Sequence, residues 1–128
     1  MTTAYVDTSA AMKLLIQESE THALQQWWAH SDAILAASWL LHTELHCASG
    51  RRADPVRTEA VAAVLGTLTL VDLTRGDLLT AGTLAPLRSN DAIHLATALR
   101  IGADQFVTYD KELAQSAHTA GLSVLSPA

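Results

Sequence analysis

The chain has 128 residues and a formal net charge of −5, with 49% hydrophobic and 16% charged residues. This length fits one domain, since a chain of this size buries roughly 70% of its unfolded surface around a single core. The acidic balance argues against a generic electrostatic nucleic-acid binder, which is basic; a charged share below the usual ~25% leaves less to cover the outside and favours an oligomer or a tightly held protein partner.

The opening MTTAYVDTSA has neither the basic region nor the long apolar run of a signal peptide. Within it, AYVD predicts a short strand ending at Asp7, and Thr8 or Ser9 is expected to cap a helix through AAMKLLIQE. A second helix is predicted over ESETHALQQWWAH, with Ser19 and His22 at its start and an apolar stripe of Ala23, Leu24, Trp27 and Trp28. AILAAS follows as a buried strand, and WLLHTELHCASGRR as a helix closed by Gly50. The apolar run AILAASWLL falls well short of the ~20 residues of a membrane span, so a cytoplasmic location is expected and no membrane partner. Cys47 is alone, which leaves neither a disulfide framework nor a cysteine zinc site. Asp54 as cap and Pro55 at the first helical position predict a helix over ADPVRTEAVAAVLGTL. TLTLVDL is the third strand, ending near Asp72, and Thr74 caps a helix over TRGDLLTAGTLAP, stopped before Pro86. A helix beginning at Asp91 is closed by Gly102, QFVTYD is the fourth strand, KELAQSAHTAG a helix closed by Gly121, and LSVLS a final strand. Alternation of strands with helices predicts an α/β fold: a central, mostly parallel sheet of about five strands with helices on both faces, in one domain over 1–128.

In such a sheet right-handed crossovers bring the C-terminal ends of all parallel strands to one edge, where ligands bind at the topological switch point. Asp7 and Asp110 end strands there, and Asp91 begins a helix near it. Glu44 lies between Leu41 and Leu45 in an otherwise apolar helix, from which it can project into the crevice. Each acid taken singly reads as a cap or a solvated side chain, and Asp72 reaches the same edge, whereas Asp104 precedes its strand and belongs to the opposite one. Their coincidence is what matters. Crowded carboxylates repel and resist burial as anions, and the usual remedy is a hard divalent cation, Mg²⁺ or Mn²⁺, which also suits phosphoryl chemistry.

YVDTSA, the inner-helix TEL, NDAIHLATA and FVTYDKEL occur in an order and spacing that resemble the PIN-domain ribonucleases, and among them the VapC-type toxins of bacterial toxin–antitoxin pairs. The resemblance runs from Tyr5 to about Leu125. It implies a PIN-like three-layer fold and a Mg²⁺-dependent endoribonuclease in which Mn²⁺ substitutes. Asp7, Glu44, Asp91 and Asp110 match the family's metal-holding and catalytic acids, Thr108 its small hydroxyl residue before the last acid, and Thr8 the polar residue after the first. It further implies an RNA substrate, a cognate VapB-type antitoxin and a homodimer. Asn90 departs from the aromatic or small residue of many relatives. His94, one turn beyond Asp91, is read as a core histidine bonded within the fold, with a bond to a metal-holding side chain as the alternative.

Four other readings bear on function. His42 and His46 share a helical face as two zinc ligands would, but Glu44 between them is not at the general-base position of His-Glu-x-x-His and no third ligand is evident. A catalytically inactive PIN-like binding module is the alternative to the enzyme. Arg51, Arg52, Arg57 and Arg88 are candidates for an RNA-contacting rim, and either Trp27 or Trp28 for a partner anchor.

Overall fold

The computed structural model describes residues 1–128. The strands are β1 (Thr3–Val6), β2 (Ile34–Ser38), β3 (Thr69–Val71), β4 (Gln105–Val107) and β5 (Ser123–Leu125). Between them lie α1 (Thr8–Lys13), α2 (Thr21–His30), α3 (Trp39–Gly50), α4 (Thr58–Leu65), α5 (Arg75–Ala81), α6 (Ser89–Arg100) and α7 (Lys111–Thr119). All strand pairs are parallel and the order is β3-β2-β1-β4-β5. The switch point therefore falls between β1 and β4.

Short apolar strands with no polar face are what a sheet covered on both sides requires. Their side chains alternate between two cores: Ala4 and Val6 join Ala37, Leu41, Leu45 and Val61 on the face of α1 to α4, while Tyr5 and Phe106 join Leu95, Ala98, Leu113 and Ala117 beneath α6 and α7. Trp27 and Trp28 are half-buried against the first core, and the Trp28 indole donates to Thr67 Oγ1 at 3.0 Å. Asp77 adds a buried polar tie. It completes a capping box with Thr74 and accepts two bonds from Arg100, pinning α5 to α6.

Several helix boundaries differ from the sequence expectation, each for a tertiary or local reason. The cap of α1 is Asp7, whose side chain accepts the Ala10 N–H; Thr8 and Ser9 turn their hydroxyls elsewhere. That helix ends at Lys13 because the buried Thr21 hydroxyl takes the Lys13 carbonyl at 2.8 Å, and α2 then starts at Thr21, two residues past Ser19. The start signal at Asp54-Pro55 is overridden. Val56 donates to the Ser49 carbonyl and packs on the first core, so α4 waits until Thr58. The helix after Thr74 ends at Ala81, well before Pro86. Arg88 occupies the cap position of α6, which makes Asp91 the third residue inside the helix. Gly102 (φ +69°) and Gly121 (φ +99°) close α6 and α7 in the left-handed conformation that glycine alone adopts without strain.

Candidate active site

The C-terminal ends of β1 and β4 are adjacent, with Val6 in register with Val107, so the next residues, Asp7 and Thr108, stand side by side. Thr108 is fully buried and donates through Oγ1 to Asp7 Oδ2 at 2.5 Å. Asp7 Oδ1 accepts from the Ala10 N–H at 3.0 Å and from Ser9 Oγ at 2.7 Å. Three donors on a carboxylate with about four lone-pair positions leave one open, on Oδ2. Ser9 also accepts the Tyr109 N–H at 2.9 Å, which ties the turn after β1 to the turn after β4. Burial pushes the Asp7 carboxyl above its ordinary range, against the bonds from Thr108, Ala10 and Ser9 that favour the anion.

Asp110 caps α7, accepting the Leu113 N–H at 2.8 Å, and its own N–H donates to Thr108 Oγ1 at 3.1 Å. One threonine hydroxyl thus links two of the acids. Glu44 arrives from α3, on the opposite face of the sheet from α6. Its Oε1 accepts from Thr8 Oγ1 at 2.7 Å and from His94 Nε2 at 2.5 Å, and its Oε2 from Asn90 Nδ2 at 3.2 Å. Burial raises the Glu44 carboxyl, but the bonds from His94, Thr8 and Asn90 outweigh it and hold the group below its ordinary value.

Asp91 is the exception. It is half-buried in the first turn of α6 and accepts no hydrogen bond from the protein. Burial, then the charges of Asp110 and Asp7, and more weakly that of Glu44, push its carboxyl upward against the pull of His94. Asp91 thus feels the charges of Asp110, Asp7 and Glu44. Asp72 follows β3, an outer strand with β2 between it and β1, and its carbonyl serves Arg100. Asp104 lies at the opposite edge, accepting the Thr3 N–H.

The donors suit a hard cation. No three His, Cys, Asp or Glu side chains stand close enough to cage an ion unaided. Mg²⁺, however, is commonly held by one or two carboxylates with retained waters. Asp91, bare of donors and raised by like charges, and the open position on Asp7 Oδ2 are what such an ion would engage.

Beside Glu44 lies a cleft of about 260 Å³ lined by Thr8, Leu40, Glu44, Cys47, Arg51 and Asn90 among others. Arg51 is its one cation. Arg52 and Arg57 line a different depression, with Leu15 and Ile16, and Arg57 pairs with Glu59 at 3.6 Å. The His42 and His46 rings lie with centroids 4.7 Å apart and planes inclined at 58°, next to Trp39, while Glu44 turns away from them to His94. Sequence reasoning passed over Ser9, Tyr5 and Ser38 as site residues and gave Asn90 and His94 only peripheral roles. The i, i+3 spacing of Asp91 and His94 on one helix was the available signal for the histidine.

Comparison with known proteins agrees with the fold. The family model described as PIN domain matches residues 4–118. Ribonuclease VapC47 of Mycobacterium tuberculosis is 38% identical over 96% of both chains, and Ribonuclease VapC46 of the same organism 34% over 99% of both. Among solved structures, Mycobacterium tuberculosis VapC20, titled a sarcin-ricin loop cleaving toxin, superposes with a TM-score of 0.77 at 17% identity, covering 98% of this chain and 100% of that one. A toxin–antitoxin complex from Klebsiella pneumoniae gives 0.74 at 18% identity over 98% of both chains. No helix of the chain is long and apolar enough to cross a membrane.

Proposed function

This chain belongs to the PIN-domain family, and from that premise we propose that it is a metal-dependent endoribonuclease of the VapC toxin type, acting in the cytoplasm. The observation that carries the reading is the convergence of Asp7, Glu44, Asp91 and Asp110 at the β1/β4 switch point, with Asp91 left bare of protein donors. The ribonuclease names of relatives at 34–38% identity support it.

Asp91 and the open position on Asp7 would hold Mg²⁺ or Mn²⁺ directly, and Glu44 and Asp110 would hold it through its retained waters. When bound, such an ion supplies Lewis-acid stabilisation of the phosphodiester and of the attacking water. The chain's own residues prepare for it. Thr108, Ser9 and the Ala10 N–H favour the ionised form of Asp7 against its burial. Thr8, His94 and Asn90 fix both oxygens of Glu44. Arg51, which lines the cleft beside Glu44, would meet an RNA phosphate, which an acidic protein otherwise repels.

A cognate VapB-type antitoxin is the expected partner, in keeping with structural neighbours titled as toxin–antitoxin and VapBC complexes. A homodimer accords with the low charged share and with the exposed Leu78 and Leu79 of α5.

The test incubates purified protein, freed of any partner, with total cellular RNA in Mg²⁺, in Mn²⁺ and in EDTA, beside Asp7→Asn. Cleavage that needs the ion and that the variant lacks is the expected result, and the cut ends identify the target. Equal cleavage by the folded variant would remove Asp7 from the site. No cleavage under either ion would favour the binding-module reading.

A further inference from the structure

We propose that His94 is a positioning residue: held from behind by the Tyr5 phenol, it presents one ring N–H to Glu44 and fixes that carboxylate in the acidic cluster. The inference rests on the metal-dependent reading above.

The geometry gives the relay a direction. The Ser38 N–H donates to the Tyr5 oxygen at 3.1 Å. The phenol hydrogen then needs an acceptor, and the neighbour in bonding geometry is His94 Nδ1, at 2.7 Å. A carboxylate only accepts, so Nε2, which faces Glu44 Oε1 at 2.5 Å, carries a ring hydrogen, with Thr8 Oγ1 at 3.2 Å as a weaker second contact.

The support behind the relay is rigid. Tyr5 and Ser38 are fully buried and His94 is 1% exposed. The Tyr5 ring stacks on Phe106 with centroids 5.5 Å apart, and His94 meets it edge-on at 5.7 Å. Glu44, by contrast, has three side-chain torsions and sits 20% exposed at the lip of the site. Thr8 and Asn90 also grip it, but only His94 connects it to the core. Ser38 immediately precedes α3, the helix that carries Glu44, and His94 lies three residues beyond Asp91 on α6. The relay so couples the helix positions of two acids supplied from opposite faces of the sheet.

Two measurements on the full chain test this. Nitrogen-15 NMR of the histidine rings locates the His94 ring hydrogens without metal or RNA: wild type should carry a hydrogen on Nε2, and a ring with its hydrogen on Nδ1 alone would overturn the proposal. Calorimetric titration with Mn²⁺ is then compared across wild type, Tyr5→Phe, His94→Gln and His94→Ala, each checked for folding by circular dichroism. Loss of a group that orients a metal-holding side chain typically weakens affinity ~10-fold or more, the result expected for His94→Ala. Tyr5→Phe, which removes one oxygen and touches no carboxylate, should weaken it by a smaller factor. His94→Gln, whose amide retains a donor, should recover part. If His94→Ala does not fold, Tyr5→Phe and His94→Gln decide. Unchanged Mn²⁺ affinity in folded variants, with a wild type that binds, overturns the positioning role alone. A wild type that binds no Mn²⁺ overturns the functional reading and this inference with it.

Discussion

Replacing Thr108 by valine deletes one hydroxyl and keeps the shape of a fully buried side chain. The hydroxyl makes a charge-assisted bond to Asp7 Oδ2 at 2.5 Å and accepts the Asp110 N–H at 3.1 Å. A bond to an ionised group contributes about 1.5–3 kcal/mol, and an N–H deprived of its acceptor costs about 1 kcal/mol at a half-buried position. The extra methyl returns up to about 0.8 kcal/mol. The net loss is about 2–3 kcal/mol, or roughly 10 °C in Tm at about 4 °C per kcal/mol for a chain of this length. The same change moves Asp7 further above its ordinary range, because burial already raises it and Thr108 is the strongest of the bonds opposing that. A cation needs the ionised carboxylate, so Mn²⁺ affinity should climb with pH later in Thr108→Val than in wild type. Thr108→Ser keeps the hydroxyl and should keep the pH profile, losing about 1 kcal/mol with its methyl. Urea unfolding and Mn²⁺ calorimetry at several pH values measure both effects. A valine variant within 0.5 kcal/mol of wild type and with the same pH midpoint would refute the reasoning.

Asp91→Asn should stabilise the metal-free chain at neutral pH while abolishing cleavage. The folded-state values of Asp91 and Asp7 lie above the ordinary 3.8, so their contribution to stability is complete below that value and is lost as pH rises through the folded values. Removing the charge at Asp91 restores part of it; a lower urea midpoint for the variant at pH 7 would contradict this, and the gain should vanish once the solution is acid enough to protonate the wild-type residue. Mn²⁺ at about 100 times its Kd should raise stability by about 2.7 kcal/mol in wild type, and thermal melts of Asp91→Asn should show little of that rise. Arg51→Ala should flatten the salt dependence of RNA binding, by a slope change of about 0.7 for a single-stranded target, whereas Arg52→Ala and Arg57→Ala, facing another depression, should change it less. Fluorescence anisotropy against KCl concentration separates these, and equal slopes for all three variants would place the rim elsewhere.

The alternation of strands and helices was legible because parallel strands covered on both faces leave short apolar runs between helix signals, and AYVD, AILAAS and QFVTYD read that way. Boundaries failed where a contact distant in sequence competes with a local signal. Asp54-Pro55 is a sound helix start taken alone, but the Val56 N–H reaches back to Ser49 and delays α4 to Thr58. The long helix expected after Asp7 is cut short by one hydroxyl, that of Thr21, on the Lys13 carbonyl. His94 shows the same limit at the site. Its partners Tyr5 and Glu44 are 89 and 50 residues away in sequence, so no window around it could distinguish a core histidine from one that holds a carboxylate.

The acids divide in a more informative way. Aspartates at helix starts look alike in sequence, since a cap and a ligand both need an oxygen near free N–H groups. The structure separates them by what their oxygens do. Asp7 and Asp110 do cap their helices, and Asp7 keeps one lone-pair position open beyond its three donors. Asp91, which the sequence placed at the start of its helix, caps nothing: Arg88 holds that position and no protein donor reaches the carboxylate. A half-buried aspartate with no donor, raised by neighbouring acids, costs stability that a cap would instead have contributed. On the proposed reading a cation completes the cluster at this position, and this makes Asp91, rather than the better-bonded Asp7, the residue whose substitution most directly separates a metal site from a set of unrelated helix caps.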